Sequence, residues 1–150
     1  MPNCITCELV AARDAGKAPV WDSIHRTLQW DLVHANNTSL PGWLVLVSRR
    51  HCASIDLLTP DEVSELGSLI RQASIALKLT VGSAKTYVMQ FAERPDHPHV
   101  HFHIVPRMPE QPDAFLGPKV FGYLGVSDSQ RVPESIMNEL AARIREHFIP

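Results

Sequence analysis

The sequence has 150 residues, the usual size of one domain, with 45% hydrophobic and 20% charged residues. This composition is ordinary for a globular protein and excludes a disordered or fibrous chain. Lys and Arg number 14 against 16 Asp and Glu, so the formal net charge is −2 and no basic surface for nucleic acid is indicated. We therefore expect one domain over residues 1–150 and no nucleic-acid partner.

The compartment follows from what the sequence lacks. The first sixteen residues contain no basic region followed by an apolar stretch, as a secretory signal would. No apolar run approaches the roughly 20 residues of a membrane-spanning helix. Three cysteines (Cys4, Cys7 and Cys52) are too few, and odd in number, for a disulfide framework. We expect a cytoplasmic protein without a membrane partner.

Two strands are predicted in the first third of the chain. Residues Arg26–Ala35 alternate with a period of two and place Leu28, Trp30 and Leu32 on one face, which is typical of a half-buried strand. Trp43–Val47 is a short apolar run and predicts a buried central strand.

A long helix is predicted next. Thr59 is a favourable N-cap and Pro60 suits the first helical position. Apolar residues then recur at helical spacing to about Leu79, namely Leu66, Leu69, Ile70, Ala73 and Leu77.

The remaining elements complete the fold class. Lys85–Phe91 and His99–Val105 read as strands, and Pro133–His147 reads as a last helix. Because strands and helices are segregated along the chain, we predict an α+β fold with an antiparallel sheet.

The strongest functional signal is a histidine-rich strand. Four of the eight histidines fall between His97 and His103, and the alternation in HVHFHIV places His99, His101 and His103 on one face. One metal bound by all three is geometrically awkward, since the outer two lie about 13 Å apart along a strand. Two of them could share a metal, as in a cupin-like barrel, or one neutral imidazole could act as a nucleophile.

The pair Cys4-x-x-Cys7 has three readings when taken alone. It is half of a zinc site, a redox pair, or two small apolar residues. A thioredoxin-like role is disfavoured because the pair opens the sequence and does not follow a strand. A zinc site needs two further ligands, usually His or Cys.

The segment HVHFHIV resembles the His-φ-His-φ-His-φ-φ motif of the histidine triad (HIT) superfamily. Upstream, DLVHANNTSLPGWLVLVSRRH is similar to the nucleoside-binding hairpin of that family. The resemblance covers about residues 4–107, and residues 108–150 form a C-terminal extension without a specific match. It implies a HIT-like fold, with an antiparallel sheet, a long helix and a C-terminal helix.

The resemblance also implies an activity. His101 would attack the α-phosphorus of a nucleoside phosphate conjugate, and the nucleotidyl-histidine would pass its nucleotide to water or another acceptor. His103 would serve the phosphoryl and leaving-group oxygens, and the main-chain carbonyl of His99 would orient His101. Gln90 and Asn36 fall at or beside positions where family members bind substrate. A nucleotide-binding regulatory protein with weak catalysis is the alternative within the family.

Two departures from the family pattern concern the substrate. Pro95–Pro98 replaces a stretch that commonly supplies Gln, Ser or Thr to the α-phosphate, and the loop is about two residues shorter. Trp43 stands where the hairpin usually has a histidine after Pro-Gly.

The resemblance also implies a zinc site and a homodimer. Some bacterial HIT hydrolases complete a structural Cys₂His₂ zinc site, whose ligands in this sequence are Cys4, Cys7, His51 and His99. No organic cofactor is expected. A homodimer is expected through the helix of about Pro60–Leu79 and the strand Lys85–Phe91.

Overall fold

The structure is a computed structural model that describes residues 3–148. Its helices are α1 (Ile5–Asp14), α2 (Pro60–Val81) and α3 (Glu134–Arg145), and its strands are β1 (His25–Arg26), β2 (Trp30–His34), β3 (Leu44–Ser48), β4 (Lys85–Met89) and β5 (His101–Arg107). The strands form one antiparallel sheet in the order β1-β2-β3-β5-β4. The predicted α+β class and the central position of β3 are confirmed.

Helix α2 begins where its local sequence places it. The Thr59 hydroxyl accepts from the N–H of Glu62, and the Glu62 carboxylate accepts from the N–H of Thr59, which forms a capping box. The helix ends at Gly82, whose positive φ of 73° closes it in the left-handed region. It therefore runs two residues beyond the predicted end at Leu79.

One face of the sheet packs against α2 and α3. The buried residues of this core include Trp30, Leu32, Leu44, Leu46, Phe102 and Ile104 of the sheet, Leu69, Ala73 and Leu77 of α2, and Leu140, Ala141 and Ile144 of α3. The apolar side of β5 thus packs on helices, as its alternation predicts.

The other face of the sheet carries the histidines and is covered from two directions. Val10 of α1 packs against Val33 and Val47. A segment of short 3₁₀ turns, residues 113–123, brings Val120 against Trp43. Helix α1 was not predicted, because its apolar periodicity is weak.

The strand predicted over Arg26–Ala35 is wrong in its first half. The Thr27 hydroxyl accepts from the N–H groups of Gln29 and Trp30, and this turn divides the segment into β1 and β2. Leu28 lies at the tip of the hairpin and is 79% exposed, although the alternation predicts it on the buried face.

Other boundaries differ from the predicted ones by a few residues. Strand β4 ends at Met89 and strand β5 begins at His101, so His99 precedes the strand. None of the helices within residues 3–148 is long and apolar enough to cross a membrane.

Candidate active site

The site is built on the first residues of β5. His101 pairs with Val47 and His103 with Val45 of β3, while the intervening Phe102 points into the helical core. The imidazole rings of His101 and His103 lie 5.1 Å apart and nearly perpendicular. Strand alternation therefore places two histidine side chains next to each other, between α1 and the segment 113–123.

His101 has one proton position fixed by the main chain. Its Nδ1 lies 2.7 Å from the carbonyl oxygen of His99. Because a carbonyl only accepts, Nδ1 carries the proton and donates, which leaves the lone pair on Nε2. This orientation is what the family resemblance implies for the nucleophile.

His103 is enclosed by aromatic rings. The Trp43 indole Nε1–H donates to His103 Nδ1 over 3.1 Å, and Phe121 packs edge-on against His103 with 5.5 Å between ring centroids. Burial, followed by the proximity of His101, lowers the pKa of His103 to about 4. His103 is therefore neutral at physiological pH.

His99 faces a different set of partners from the other two histidines. Its Nε2–H donates to the Ser48 carbonyl over 2.6 Å, so its Nδ1 lone pair points to the sulfur atoms of Cys4 and Cys7, at 3.6 and 3.5 Å. Burial lowers the pKa of His99, which favours the neutral imidazole.

His51 completes a group of four that could hold a metal ion. Its Nδ1 lies 3.2 Å from Cys7 Sγ, and the ligand atoms of Cys4, Cys7, His51 and His99 all lie within 4.8 Å of one another. Ligands of a tetrahedral ion with bonds of about 2.0–2.3 Å lie about 3.3–3.8 Å apart, close to the 3.2, 3.5 and 3.6 Å that separate the sulfur atoms from the histidine nitrogens. The Ser48 carbonyl orients His99 as metal-bound histidines usually require.

The surroundings of Cys7 favour its protonated thiol. Burial, and then the neighbouring Cys4 thiol, raise the pKa of Cys7 above its ordinary value. A metal cation would favour the thiolates. Cys52 is buried and its Sγ–H donates to the Ser54 carbonyl, so it packs as a core residue outside the group.

Helix α1 brings both cysteines to the site. Cys4 is the residue before its first turn and Cys7 lies within that turn. The helix is attached at its other end by Arg13, which is buried and pairs with Asp22 and Asp31 at 2.9 and 3.2 Å. Asp31 is fully buried, whereas its alternation with Leu32 predicts an exposed side chain.

The loop before the triad also attaches to α1. The Asp96 carbonyl accepts from the N–H of Ile5 over 3.0 Å, and the His97 ring lies 2.8 Å from the Thr6 hydroxyl. The carboxylate of Asp96 pairs with Arg94 at 3.1 Å, which offsets the negative charge in this stretch.

Gln90 follows β4 directly, one residue after Met89, which pairs with His103. Its side-chain oxygen is buried and has no hydrogen-bond partner among the described residues. Gln90 also lines an open cleft of about 550 Å³ together with residues 53–56 and 91–93. An unpaired buried amide oxygen at a cleft is suited to a ligand group that donates a hydrogen bond.

Asn36 lies apart from this arrangement. It is exposed, and both its main-chain and its side-chain oxygens accept from the Arg131 guanidinium. None of its hydrogen bonds in residues 3–148 involves a triad histidine, and its role in substrate binding stays a prediction.

Two contributors to the site were missed in the sequence. Trp43 reads as a core or interface aromatic, yet it hydrogen-bonds His103. Phe121 comes from the extension without a recognisable motif, yet it contacts His103, Trp43 and Phe91. The aromatic run around Phe121 was the available signal, but nothing in the sequence indicated where the extension folds.

Solved structures provide the comparison with known proteins. A Hit-like protein involved in cell-cycle regulation from Bartonella henselae is 20% identical, with a TM-score of 0.72 over 98% of this chain and 97% of that one. A histidine triad protein from Sinorhizobium meliloti is 25% identical, with a TM-score of 0.69 over 83% and 87%. A Zn-bound histidine triad family protein from Mycobacterium smegmatis is 14% identical, with a TM-score of 0.64 over 95% and 96%.

Family models and curated proteins give no match to this sequence. The solved structures nevertheless share one architecture with it over most of both chains. The chain has the histidine triad fold, and the resemblance seen in its sequence is confirmed. Its open five-stranded sheet does not support the cupin-like barrel alternative.

Proposed function

We propose that this protein is a HIT-type enzyme that hydrolyses a nucleoside phosphate conjugate at its α-phosphorus through a nucleotidyl-histidine. The observation that carries the proposal is the 2.7 Å contact between His101 Nδ1 and the His99 carbonyl. With Nδ1 committed to that carbonyl, the nucleophilic lone pair is on Nε2. A histidine held in this way needs no further base.

The first chemical step moves the nucleotidyl group to His101. The Nε2 lone pair forms a bond to the α-phosphorus, the bond from phosphorus to the leaving oxygen breaks, and its electron pair stays on that oxygen. The proton on Nδ1 remains there and is shared with the His99 carbonyl, which stabilises the positive charge of the nucleotidylated ring.

The second step returns His101 to its starting state. A water oxygen attacks the phosphorus in line with the P–N bond, and the electron pair of that bond returns to Nε2. The water proton leaves with the product phosphate or to solvent. Next to His101, His103 is suited to hydrogen-bond a phosphoryl oxygen, and the unpaired amide of Gln90 is suited to the substrate.

A trapping experiment tests this mechanism. Wild-type protein mixed with a dinucleoside polyphosphate, quenched in alkali and weighed by mass spectrometry should carry one nucleotidyl group. His101→Asn keeps a donor for the His99 carbonyl but has no Nε2, so the adduct should disappear and turnover should fall by at least about 10³-fold. His147→Asn, an exposed change, is the matched control.

The outcomes distinguish an enzyme from a nucleotide-binding regulatory protein with weak catalysis. Nucleotide binding without an adduct or turnover in the wild type would favour the regulatory alternative. Substantial activity in His101→Asn would contradict the assignment of the nucleophile.

Zinc is the metal that fits the group of Cys4, Cys7, His51 and His99. Two thiolates and two imidazoles are a common tetrahedral zinc set, and the separations of 3.2 to 3.6 Å support it. A closed site of four protein ligands leaves no open position, so the ion would supply structural cross-linking and no catalysis. The ion would join the start of α1 to His51, which follows β3, and to His99, the first histidine of the triad.

We also propose that the protein forms a homodimer through β4 and α2. Strand β4 is an edge strand of the sheet and borders α2 through a 2.5 Å hydrogen bond between Ser74 and Thr86. The same side of the molecule exposes apolar residues, among them Ile75 and Leu79 of α2 and Val88 of β4. Unpaired edges with exposed apolar neighbours are suited to pairing with a second copy.

A further inference from the structure

The hydrogen bond between Trp43 and His103 restricts the chemistry of the third triad histidine. Trp43 is fully buried, and its Nε1 lies 3.1 Å from His103 Nδ1 with the two rings nearly perpendicular. An indole N–H donates only, so His103 Nδ1 must carry a lone pair here. The proton of a neutral His103 is then on Nε2.

The surroundings of His103 give a cationic form no compensation. Its cross-strand partners are Val45 and Met89, and the segment 113–123 contributes the Phe121 ring. The titratable neighbour on its own strand is His101. Among residues 3–148, no carboxylate forms a hydrogen bond or ion pair with His103.

Protonation would also break the existing contact. With a proton on Nδ1, two N–H groups would face each other inside an aromatic enclosure. A histidine at position 43 would behave differently, because an imidazole can accept a hydrogen bond as well as donate one. Trp43 removes that possibility from this chain.

We propose that Trp43 is a positioning residue that holds His103 as a neutral hydrogen-bond donor through Nε2–H, and that the enzyme therefore prefers phosphoanhydrides to phosphoramidates. This inference rests on the proposed nucleotidyl transfer to His101. It adds the class of leaving group that the site can release.

The preference follows from where the proton goes in each reaction. When an anhydride is cleaved, the P–O electron pair stays on a phosphate oxygen, which leaves as a stable anion while His103 keeps its proton. When a phosphoramidate is cleaved, the nitrogen must gain a proton before or during departure. A neutral imidazole is a much weaker acid than an imidazolium, so the second reaction loses its general acid.

The first experiment reads the tautomer of His103 in the whole protein. Long-range ¹H–¹⁵N spectra of ¹⁵N-histidine-labelled protein should show His103 with Nδ1 unprotonated and Nε2 protonated from pH 6 to 8. In Trp43→Phe both neutral tautomers of His103 should be populated, and the pH at the midpoint of its titration should rise. Trp30→Phe is the matched control, since Trp30 is equally buried and donates to the Glu62 carbonyl on the opposite face.

The wild-type spectrum tests the predicted tautomer of His103 even if Trp43→Phe does not fold. A wild-type His103 that is protonated on Nδ1 would overturn the inference. An unchanged His103 in folded Trp43→Phe would overturn it as well.

The second experiment compares leaving groups. The wild type should cleave a diadenosine polyphosphate with a kcat/KM at least about 10²-fold above that for adenosine 5′-phosphoramidate, the size of a lost general acid. Trp43→His should reduce that ratio at least about tenfold. Equal or better cleavage of the phosphoramidate by the wild type would refute the preference. If neither compound reacts and no adduct forms, the proposed function is wrong. The tautomer of His103 is tested separately, by the NMR spectrum of the wild type.

Discussion

His101 and His103 are two residues apart on one strand, yet their hydrogen bonds give them different properties. His101 faces a main-chain acceptor, which frees its Nε2 lone pair, whereas His103 faces the donor Trp43. Neither partner is charged, so the difference arises from the direction of each hydrogen bond and from burial. A strand that repeats one residue type can in this way supply two chemical roles.

The lowered pKa of His103 predicts a pH dependence of stability. Its value of about 4 lies below the ordinary 6.5, so between these values the unfolded chain binds a proton that the folded chain does not. Stability must therefore fall as pH decreases through this window. Between pH 7.5 and 5, His103 should account for about 2 kcal/mol of lost unfolding free energy.

Urea unfolding at the two pH values measures this loss. His103→Gln should lose less stability than the wild type over the same interval, and exposed His147→Gln should behave as the wild type does. An identical pH dependence in the wild type and His103→Gln would contradict the assignment.

At the scale of elements, α1 connects the candidate metal group to the loop before the triad. Cys4 directly precedes α1 and Cys7 lies in its first turn. The first N–H of the helix binds the Asp96 carbonyl, and Arg13 anchors the other end to the sheet. The loop before the triad is thus held by the same helix that would bind the metal. Loss of the metal should loosen this region without removing a catalytic group.

Metal content and stability test this role of α1. Protein prepared without chelator or affinity tag should contain about one zinc per chain by elemental analysis. Cys4→Ser combined with Cys7→Ser should abolish the metal and lower Tm by at least about 10 °C, with a smaller effect on the single-turnover rate of folded protein. Cys52→Ser, outside the group, should keep the metal. Unchanged metal content in the double variant would disprove the site.

Elements with local signals were predictable from the sequence. Helix α2 starts at Pro60 because Thr59 and Glu62 form a capping box, a motif that spans only four consecutive residues and can be recognised in the sequence. The two faces of β5 follow from alternation alone, which separates His101 and His103 from Phe102. The metal group was reached through the family resemblance, and not through spacing.

Features that depend on distant contacts were not predictable. Helix α1 lacks a strong apolar stripe and is fixed by Arg13 with Asp22 and Asp31. Phe121 reaches His103 only because the extension folds back over the sheet. In both cases the deciding interaction is made by residues whose local sequence carries no periodic pattern.

At the scale of the whole molecule, the two edges of the sheet differ. The hairpin edge at β1 is two residues long, and a strand that short offers few unpaired main-chain groups. Strand β4 is five residues long and adjoins the apolar side chains exposed on α2. The β4 edge is therefore the one suited to a second copy of the chain.

Light scattering at low micromolar concentration should give about twice the chain mass of 16.8 kDa. Leu79→Glu should raise the dimer Kd at least about tenfold, because Leu79 is 62% exposed in the single chain and its replacement would bury a charge in the interface. Leu28→Glu is the matched control, since Leu28 is also highly exposed but lies at the opposite edge, at the tip of the β1–β2 hairpin. A monomeric wild type at this concentration, or a dimer equally weakened by Leu28→Glu, would rule out the α2–β4 interface.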